Sequence, residues 1–381
     1  MRTLTPRMIA TFSLFLIAFA GLNLYAGWNL SLPLREWWPG FPPGLYWPLF
    51  YLVAFAYIIG RAPIRPRALG RALKVLGAHY IGLFEYLILT LPFADLAGWL
   101  LIRAGIDRGA VVSGVAVAAA ALLLALFFVG SRNAWRPVVR EYDLHVAKHA
   151  GGLRRLDVLI ASDLHLGNIV GNRHLDRLLA LAEVRKPDLI LLAGDVIDDA
   201  IEPFVRNRMS ERLQRLRAKY GTYAVLGNHE YYGGHVEEYV ARMKEIGIPV
   251  LQDEGVTIAD AFHVVGRKDR TAESADPQGR RPIGELLSAF NPKLPTIVMD
   301  HQPHQYAAAA EAGVDVLVSG HTHRGQFAPN HLLTRRLFEL DWGYLRKGKM
   351  HALVSSGFGT WGPPVRLASR SEIIHLVLRF D

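Results

Sequence analysis

Five short fragments place imidazole, carboxylate or amide groups directly after apolar runs. Asp163 and His165 follow LIAS, and Asp195, with Asp198 three residues on, follows LLAG. Asn228, His229 and Glu230 follow AVLG, Asp300 and His301 follow IVM, and His321 and His323 follow VLVSG. Singly these are ordinary, since Asp and Asn beside Gly are turn residues and a lone histidine is usually a solvated side chain. Together they offer nitrogen and oxygen donors without sulfur, the set that suits Mn, Fe, Zn and similar divalent ions. Turn polarity or metal ligation are the two readings, and convergence on one rim decides between them.

The elements that must position these groups are strands. Apolar runs of strand length recur at 156–162, 188–194, 222–227, 295–299, 314–320, 351–356 and 373–380. Helical patterns lie between the early ones, at 172–186 and 236–247. Strands alternating with helices predict an α/β domain with a sheet buried on both faces. The later strands follow one another with fewer helices, so a mixed sheet is expected. Residues 267–282 are charged, contain Gly279 and Pro282, and read as a loop. Ligand sites in α/β sheets form at the carboxyl ends of strands, where all five fragments fall.

The first third of the chain is different. Four apolar stretches, 8–27, 45–60, 76–102 and 109–130, predict an all-α transmembrane domain of about four helices over 1–135, ahead of a catalytic domain over 136–381. Arg2 and Arg7 precede the first stretch as they would a signal peptide, but further spans favour a retained helix. Residues 1–150 carry 14 Lys/Arg against 6 Asp/Glu, whereas residues 151–381 carry 29 against 28. A nucleic-acid binder would concentrate its basic excess on the folded domain; here the excess flanks hydrophobic segments, as anionic lipid and membrane orientation require. The basic connection Arg61, Arg65, Arg67, Arg71, Lys74, and Arg132, Arg136 and Arg140 after the last span, predict a multi-pass protein of the inner, cytoplasmic membrane with its catalytic domain in the cytoplasm. Glu85, Asp95 and His79 lie in the impure third stretch and are expected to face other helices or the interface. There is no cysteine, which excludes disulfides, thiol nucleophiles and thiolate metal sites.

The order DLH, GDVID, GNHE, DH, GHTH over 163–323 resembles the calcineurin-like metallophosphoesterase superfamily, in its bacterial membrane-associated branch. SSGFGTWGPPVRLASRSEI at 355–373 resembles that branch too. The resemblance implies a mixed β-sandwich flanked by helices, and two adjacent divalent ions. Asp163, His165 and His323 would bind one; Asn228, His301 and His321 the other; Asp195 would bridge them. Manganese is the expected metal, with Fe, Zn or Mg as alternatives. Such a pair, about 3.5–4 Å apart, clamps a phosphoryl group and acidifies a water for in-line attack. His229 would be the general acid for the leaving oxygen, oriented by Asp198, and Asn228 would also meet the substrate. Arg324 stands where many members of the branch have glycine; it either grips a substrate phosphate or faces solvent. His304 is expected to support the site or lie on the surface.

Membrane spans beside such a site suggest that membrane lipids surround the protein and that its phosphorylated substrate is lipid-linked. No nucleic-acid partner is expected. The basic segment 204–221, with Val205, Met209, Leu213 and Leu216 at helical spacing, would lie on the membrane or pack on the sheet. Two rival readings remain open: a tethered phosphodiesterase of broad specificity on soluble substrates, and a non-catalytic membrane assembly protein.

Overall fold

A computed structural model describes residues 6–381, with side chains from Ala10 onward. Arg2 and the Arg7 side chain, whose charges precede the first apolar stretch, lie outside the described residues. The chain divides into two compact units, Met1–Phe128 and Val129–Asp381.

The first unit is helical: α1 (Pro6–Trp37), α2 (Pro43–Ala54), α3 (Ala56–Arg61), α4 (Arg67–Arg103) and most of α5 (Arg108–Trp135). Among the described residues, three stretches are long and apolar enough to cross a membrane, by length and composition: Ala10–Trp37, α4 and α5. The stretch at 76–102 lies within a single helix, α4, despite Pro92. The stretch expected as a span at 45–60 falls on two successive helices, of 12 and 6 residues, that meet at Phe55 (φ −99°, ψ 4°). Each alone is shorter than the ~20 residues that cross the hydrocarbon, but the helical ladder runs on through the junction, with Phe55 N–H bonded to Tyr51 O and Ile59 N–H to Phe55 O (2.9 Å each). Pro48 removes a backbone donor within α2, and α3 follows a path set by backbone contact with α4. A Cβ on Gly77 would stand 2.1 Å from the Tyr57 nitrogen, and one on Gly60 2.7 Å from that of Lys74. Asp95 accepts from the Tyr25 hydroxyl (2.5 Å) and Asn29 Nδ2 (3.4 Å), so this carboxylate of α4 is partnered by α1.

The second unit holds two mixed sheets. Its strands are β1 (Val138–Val146), β2 (Arg155–Ala161), β3 (Leu189–Ala193), β4 (Thr222–Val225), β5 (Glu254–Ile258), β6 (Phe262–Gly266), β7 (Thr296–Met299), β8 (Val316–Ser319), β9 (Gly343–Lys347), β10 (Met350–Val354) and β11 (Glu372–Phe380). The first sheet has the order β1-β11-β2-β3-β4 and the second β5-β6-β7-β8-β10-β9. Strand alternation sorts the side chains into layers. Val158, Ile160, Leu189 and Leu191 pack with Val264, Ile297, Met299 and Val316 of the second sheet. Leu159, Ala161, Ile190 and Leu192 point the other way, onto Leu175, Leu178 and Leu179 of α6 (Asn172–Arg185). On the far face of the second sheet, Val265, Val298 and Leu317 meet Ile283, Leu286 and Tyr306. The result is a β-sandwich between helical layers.

Two segments resolve at this level. Residues 204–221 form no single helix, and Met209, Leu213 and Leu216 are buried in the core beside α6, so those side chains present no apolar face to lipid. The charged loop 267–282 turns Arg267 and Arg280 inward, and both guanidinium groups bond the buried carboxylate of Asp300.

The glycine contact in the helical unit is directly testable. Gly77→Val is expected to destabilise the protein by about 1–3 kcal/mol through overpacking, read as a lower thermal midpoint in detergent. An unchanged midpoint would show that α3 and α4 separate without cost.

Candidate metal centre

The strands β2, β3 and β4 of the first sheet and β7 and β8 of the second end on one rim, and each delivers a fragment there. The chain turns sharply as it leaves them. Asp163 (φ 52°), His165 (46°), Asp195 (50°), His321 (73°) and His323 (49°) all occupy the left-handed region. That conformation costs a non-glycine residue roughly 1–2 kcal/mol, so five such turns represent strain held by the sheets behind them. Two glycines make the close approach possible. A Cβ on Gly227 would stand 2.1 Å from Asp195 Oδ1, and one on Gly320 2.3 Å from Asp163 Oδ2.

The side chains expected as ligands converge in two groups, each with one ligand atom per residue within 4.8 Å of the others, Asp163, His165 and His323, and Asp195, His301 and His321; His229 forms two further groups of the same kind, with His165 and Asp195 and with Asp198 and Asp199. His165 Nε2 and His323 Nε2 face each other at 3.0 Å. Asp163 Oδ1 lies 3.4 Å from His323 Nε2, and Asp195 Oδ2 lies 3.1 Å from His301 Nε2. The same Asp195 oxygen stands 3.9 Å from His165 Nε2, between the two groups, while Oδ1 accepts from the His229 backbone N–H (2.9 Å). Asn228 Oδ1 approaches His321 Nδ1 at 2.8 Å. All seven residues expected as ligands therefore line one centre, drawn from both sheets.

This donor set fits two divalent cations. Asp163 and Asp195 are buried, and among the described residues only histidines lie within ion-pair distance of them. A buried carboxylate without a positive partner is costly. His301 Nδ1 donates to the Ala193 carbonyl (2.8 Å), which leaves the Nε2 lone pair, buried and otherwise unpartnered, facing Asp195. That arrangement requires a positive charge between them, a proton or a metal ion. Burial pushes His165 down to about 3 and His321 to about 4, so both rings are neutral, as ligation demands. Burial also pushes the Asp163 carboxyl up to about 6, in the absence of the cation that would hold it ionised.

His229 stands beside the first group, its ring edge-on to His165 with centroids 4.7 Å apart. Burial would lower its pKa, but the Asp199 hydrogen bond and the charges of Asp195 and Asp198 outweigh this and raise it to about 9. The partner of its Nδ1 is Asp199 (2.7 Å), with Asp198 further off at 3.7 Å. Asp198 also approaches His165 Nδ1 at 3.8 Å. The orienting role expected of Asp198 thus falls geometrically to its neighbour. Arg324 lays its guanidinium over the Trp342 ring at 4.0 Å, a cation–π contact. His304 is half-buried, beside Arg270 and the Phe338 ring.

Two supporting residues lie in quoted motifs whose spacing assigns them no role. Glu230 is buried and accepts three backbone N–H bonds, from Asp195 (3.2 Å), Ile197 (2.9 Å) and Gly227 (2.7 Å), tying two ligand loops together. Its place in GNHE marked it, but not its task. Arg366 is fully buried and donates to Ser356 O (2.7 Å), Ser369 Oγ (2.9 Å) and Gly359 O, and its Nη2 stands 3.0 Å from His323 Nδ1, against the edge of that ring.

The sequence profile of the calcineurin-like phosphoesterases matches residues 156–325. An uncharacterized metallophosphoesterase of Aquifex aeolicus is 30% identical over 244 residues, 63% of this chain and 91% of that protein. An uncharacterized metallophosphoesterase of Helicobacter pylori is 30% identical over 250 residues, 64% of each. A Bos taurus protein named as a transmembrane protein with metallophosphoesterase domain is 31% identical over 268 residues, 67% of this chain and 60% of that protein. The chain thus spans less than two thirds of the last two relatives.

Replacing Glu230 by Gln leaves one of its three backbone donors facing an amide NH₂. Stability is expected to fall by about 1–3 kcal/mol and metal affinity by roughly 10–100-fold. Calorimetry and metal analysis of the purified variant would measure both; wild-type metal content at limiting metal would contradict the role described.

Proposed function

Because the chain belongs to the calcineurin-like metallophosphoesterase family, we propose that it hydrolyses a phosphodiester, pyrophosphate or phosphomonoester bond of a lipid-linked substrate at the cytoplasmic face of the inner membrane. The observation that carries the reading is Asp195, whose one oxygen lies between two buried ligand groups with His229 alongside. When bound, two divalent cations, manganese first among candidates, supply Lewis-acid activation of the phosphoryl group and of water.

The chain's own residues do the rest. His229 holds a proton for the departing oxygen, and an imidazole is suited to give it up near neutral pH. Asp199 fixes which ring nitrogen points away from the carboxylates by accepting from Nδ1. Asn228 offers an amide at the edge of the second group. Glu230 and Arg366 hold the ligand loops and the His323 ring against the charge that collects there.

The membrane placement rests on the three apolar helices and on the relatives named as transmembrane proteins. Orientation follows from the basic segments 61–74 and 132–140. They fall on the same side of the bilayer whether the pair α2–α3 crosses or stays at one face, and that side is the cytoplasm.

Detergent-purified protein with Mn²⁺ is expected to hydrolyse lipid pyrophosphates or lipid phosphodiesters, and to lose activity with a chelator. No turnover of any phosphate ester with two metal ions bound would sink the reading; activity confined to soluble diesters would leave only the tethered enzyme. His229→Ala is expected to lower kcat by about 10²–10⁴-fold with metal content unchanged. Asp199→Asn should lower kcat by roughly tenfold or more, and Asp198→Asn by clearly less; the reverse order would return the orienting role to Asp198.

A further inference from the structure

The segment after GHTHRGQ contains a feature that the phosphoesterase site does not use. The helix His331–Leu337 buries none of its residues. Leu332, Leu333 and Leu337 are 55%, 58% and 64% exposed. Scattered exposed leucines need no explanation, but three on two turns form a patch. No acid occurs between Gln326 and Glu339. Arg335 and Arg336 lie among the leucines, and among the described residues neither meets a carboxylate. The two nearest acids along the chain are occupied: Glu339 pairs with Lys347 (2.5 Å), and Asp341 accepts from Thr334 Oγ1 (2.7 Å).

The patch is fixed to the metal centre. Thr322, between the two histidines of GHTH, donates to the Asp341 carbonyl (2.5 Å), and Asp341 holds Thr334 on the helix. The Phe338 ring lies 6.0 Å from that of His321. Across the centre, Trp361 and Tyr232 stand 55% and 64% exposed, with ring centroids 6.3 and 5.7 Å from His229.

We propose that Phe327–Phe338, with Trp361 and Tyr232 opposite, forms a lip that beds into the headgroup region of an anionic bilayer at the mouth of the metal centre. Charge complementarity names the occupant. Unpaired arginines with leucines suit a surface of anionic lipid, where the guanidinium heads meet phosphates while their stems and the leucines enter the acyl boundary. Tryptophan and tyrosine favour the same depth. The chain also carries three helices apolar enough to cross a bilayer, so a bilayer lies within reach by covalent connection. The inference rests on the membrane reading above for the presence of that bilayer, and not on the catalytic chemistry.

The absence of cysteine makes the test clean, because Leu333→Cys introduces the sole thiol. A nitroxide on that residue of the full chain would be compared in detergent, in phosphatidylcholine vesicles and in vesicles of equal phosphatidylcholine and phosphatidylglycerol. A nitroxide at Val184→Cys, on the exposed surface of α6, serves as control. In the anionic vesicles the Leu333 probe is expected to gain collisions with oxygen and lose those with an aqueous nickel chelate by several-fold, while the Val184 probe stays unchanged. Equal behaviour at the two sites would overturn the lip. Shielding of the Leu333 probe from both agents, in detergent as in vesicles, would also overturn it, showing that a second copy or another protein covers the face. The double variant Arg335→Glu, Arg336→Glu should lower kcat/KM on a lipid phosphodiester in anionic vesicles about tenfold and leave hydrolysis of bis(p-nitrophenyl) phosphate unchanged; an equal effect on both substrates would refute a membrane role. Should the wild type cleave neither diester, diester hydrolysis is excluded from the catalytic reading, and the probe measurement still decides the lip.

Discussion

Two carboxylates, those of Asp163 and Asp195, are held in the interior of the second unit, and among the described residues no lysine or arginine is bonded to either. Their charge has no neutralising partner except imidazole and whatever cations the centre takes up. Much of the local architecture is the means of keeping them together despite this. The ligand turns sit in left-handed conformations that the sheets hold in place. Gly227 and Gly320 give up side chains so that carboxylate oxygens can occupy the space. Asp163 is steadied by Ser162 Oγ and the His321 backbone N–H, and Asp195 by the backbone N–H of His229. A metal ion relieves the repulsion that the fold imposes, so folding stores part of the affinity in advance.

The centre also depends on a division of labour between the sheets. The first contributes Asp163, His165, Asp195 and Asn228, and the second His301, His321 and His323. Neither sheet alone encloses a cation. The apolar layer between them, in which Ile160 and Ala193 pack with Met299 and Val318, sets the separation of the two ligand halves. A cavity in that layer would be felt at the rim even though no ligand is touched.

Much of this was legible because buried strands and chemistry coincide. β3, β7 and β8 are largely apolar runs and β2 becomes one over 158–161, as a strand covered on both faces must be, and each ends at a glycine, serine or aspartate that starts a ligand turn. The strands that escaped notice include β1, β5 and β9, edge strands whose exposed positions carry charge or polarity, as in VVREYDLHV. Their period-2 pattern is short, and nothing separates it from a polar loop. Hydropathy likewise registers the composition of 45–60 but not the junction of two helices at Phe55. In the centre itself, the residues that converge could be read from the motifs and their supports could not. Asp198 and Asp199 are adjacent and chemically alike, and only backbone direction decides which one reaches His229. Arg366 lies 43 residues from His323, so no local spacing connects them.

The position of β11 has a consequence for the order of assembly. This strand lies inside the first sheet, parallel to β1 on one side and antiparallel to β2 on the other. It is also synthesised after every other strand of either sheet. Until residues 372–380 leave the ribosome, β2 has one open edge. The helices of the first unit emerge long before. Those helices can therefore be complete while the second unit is still an open sheet, and the first sheet closes only after residues 372–380 have emerged.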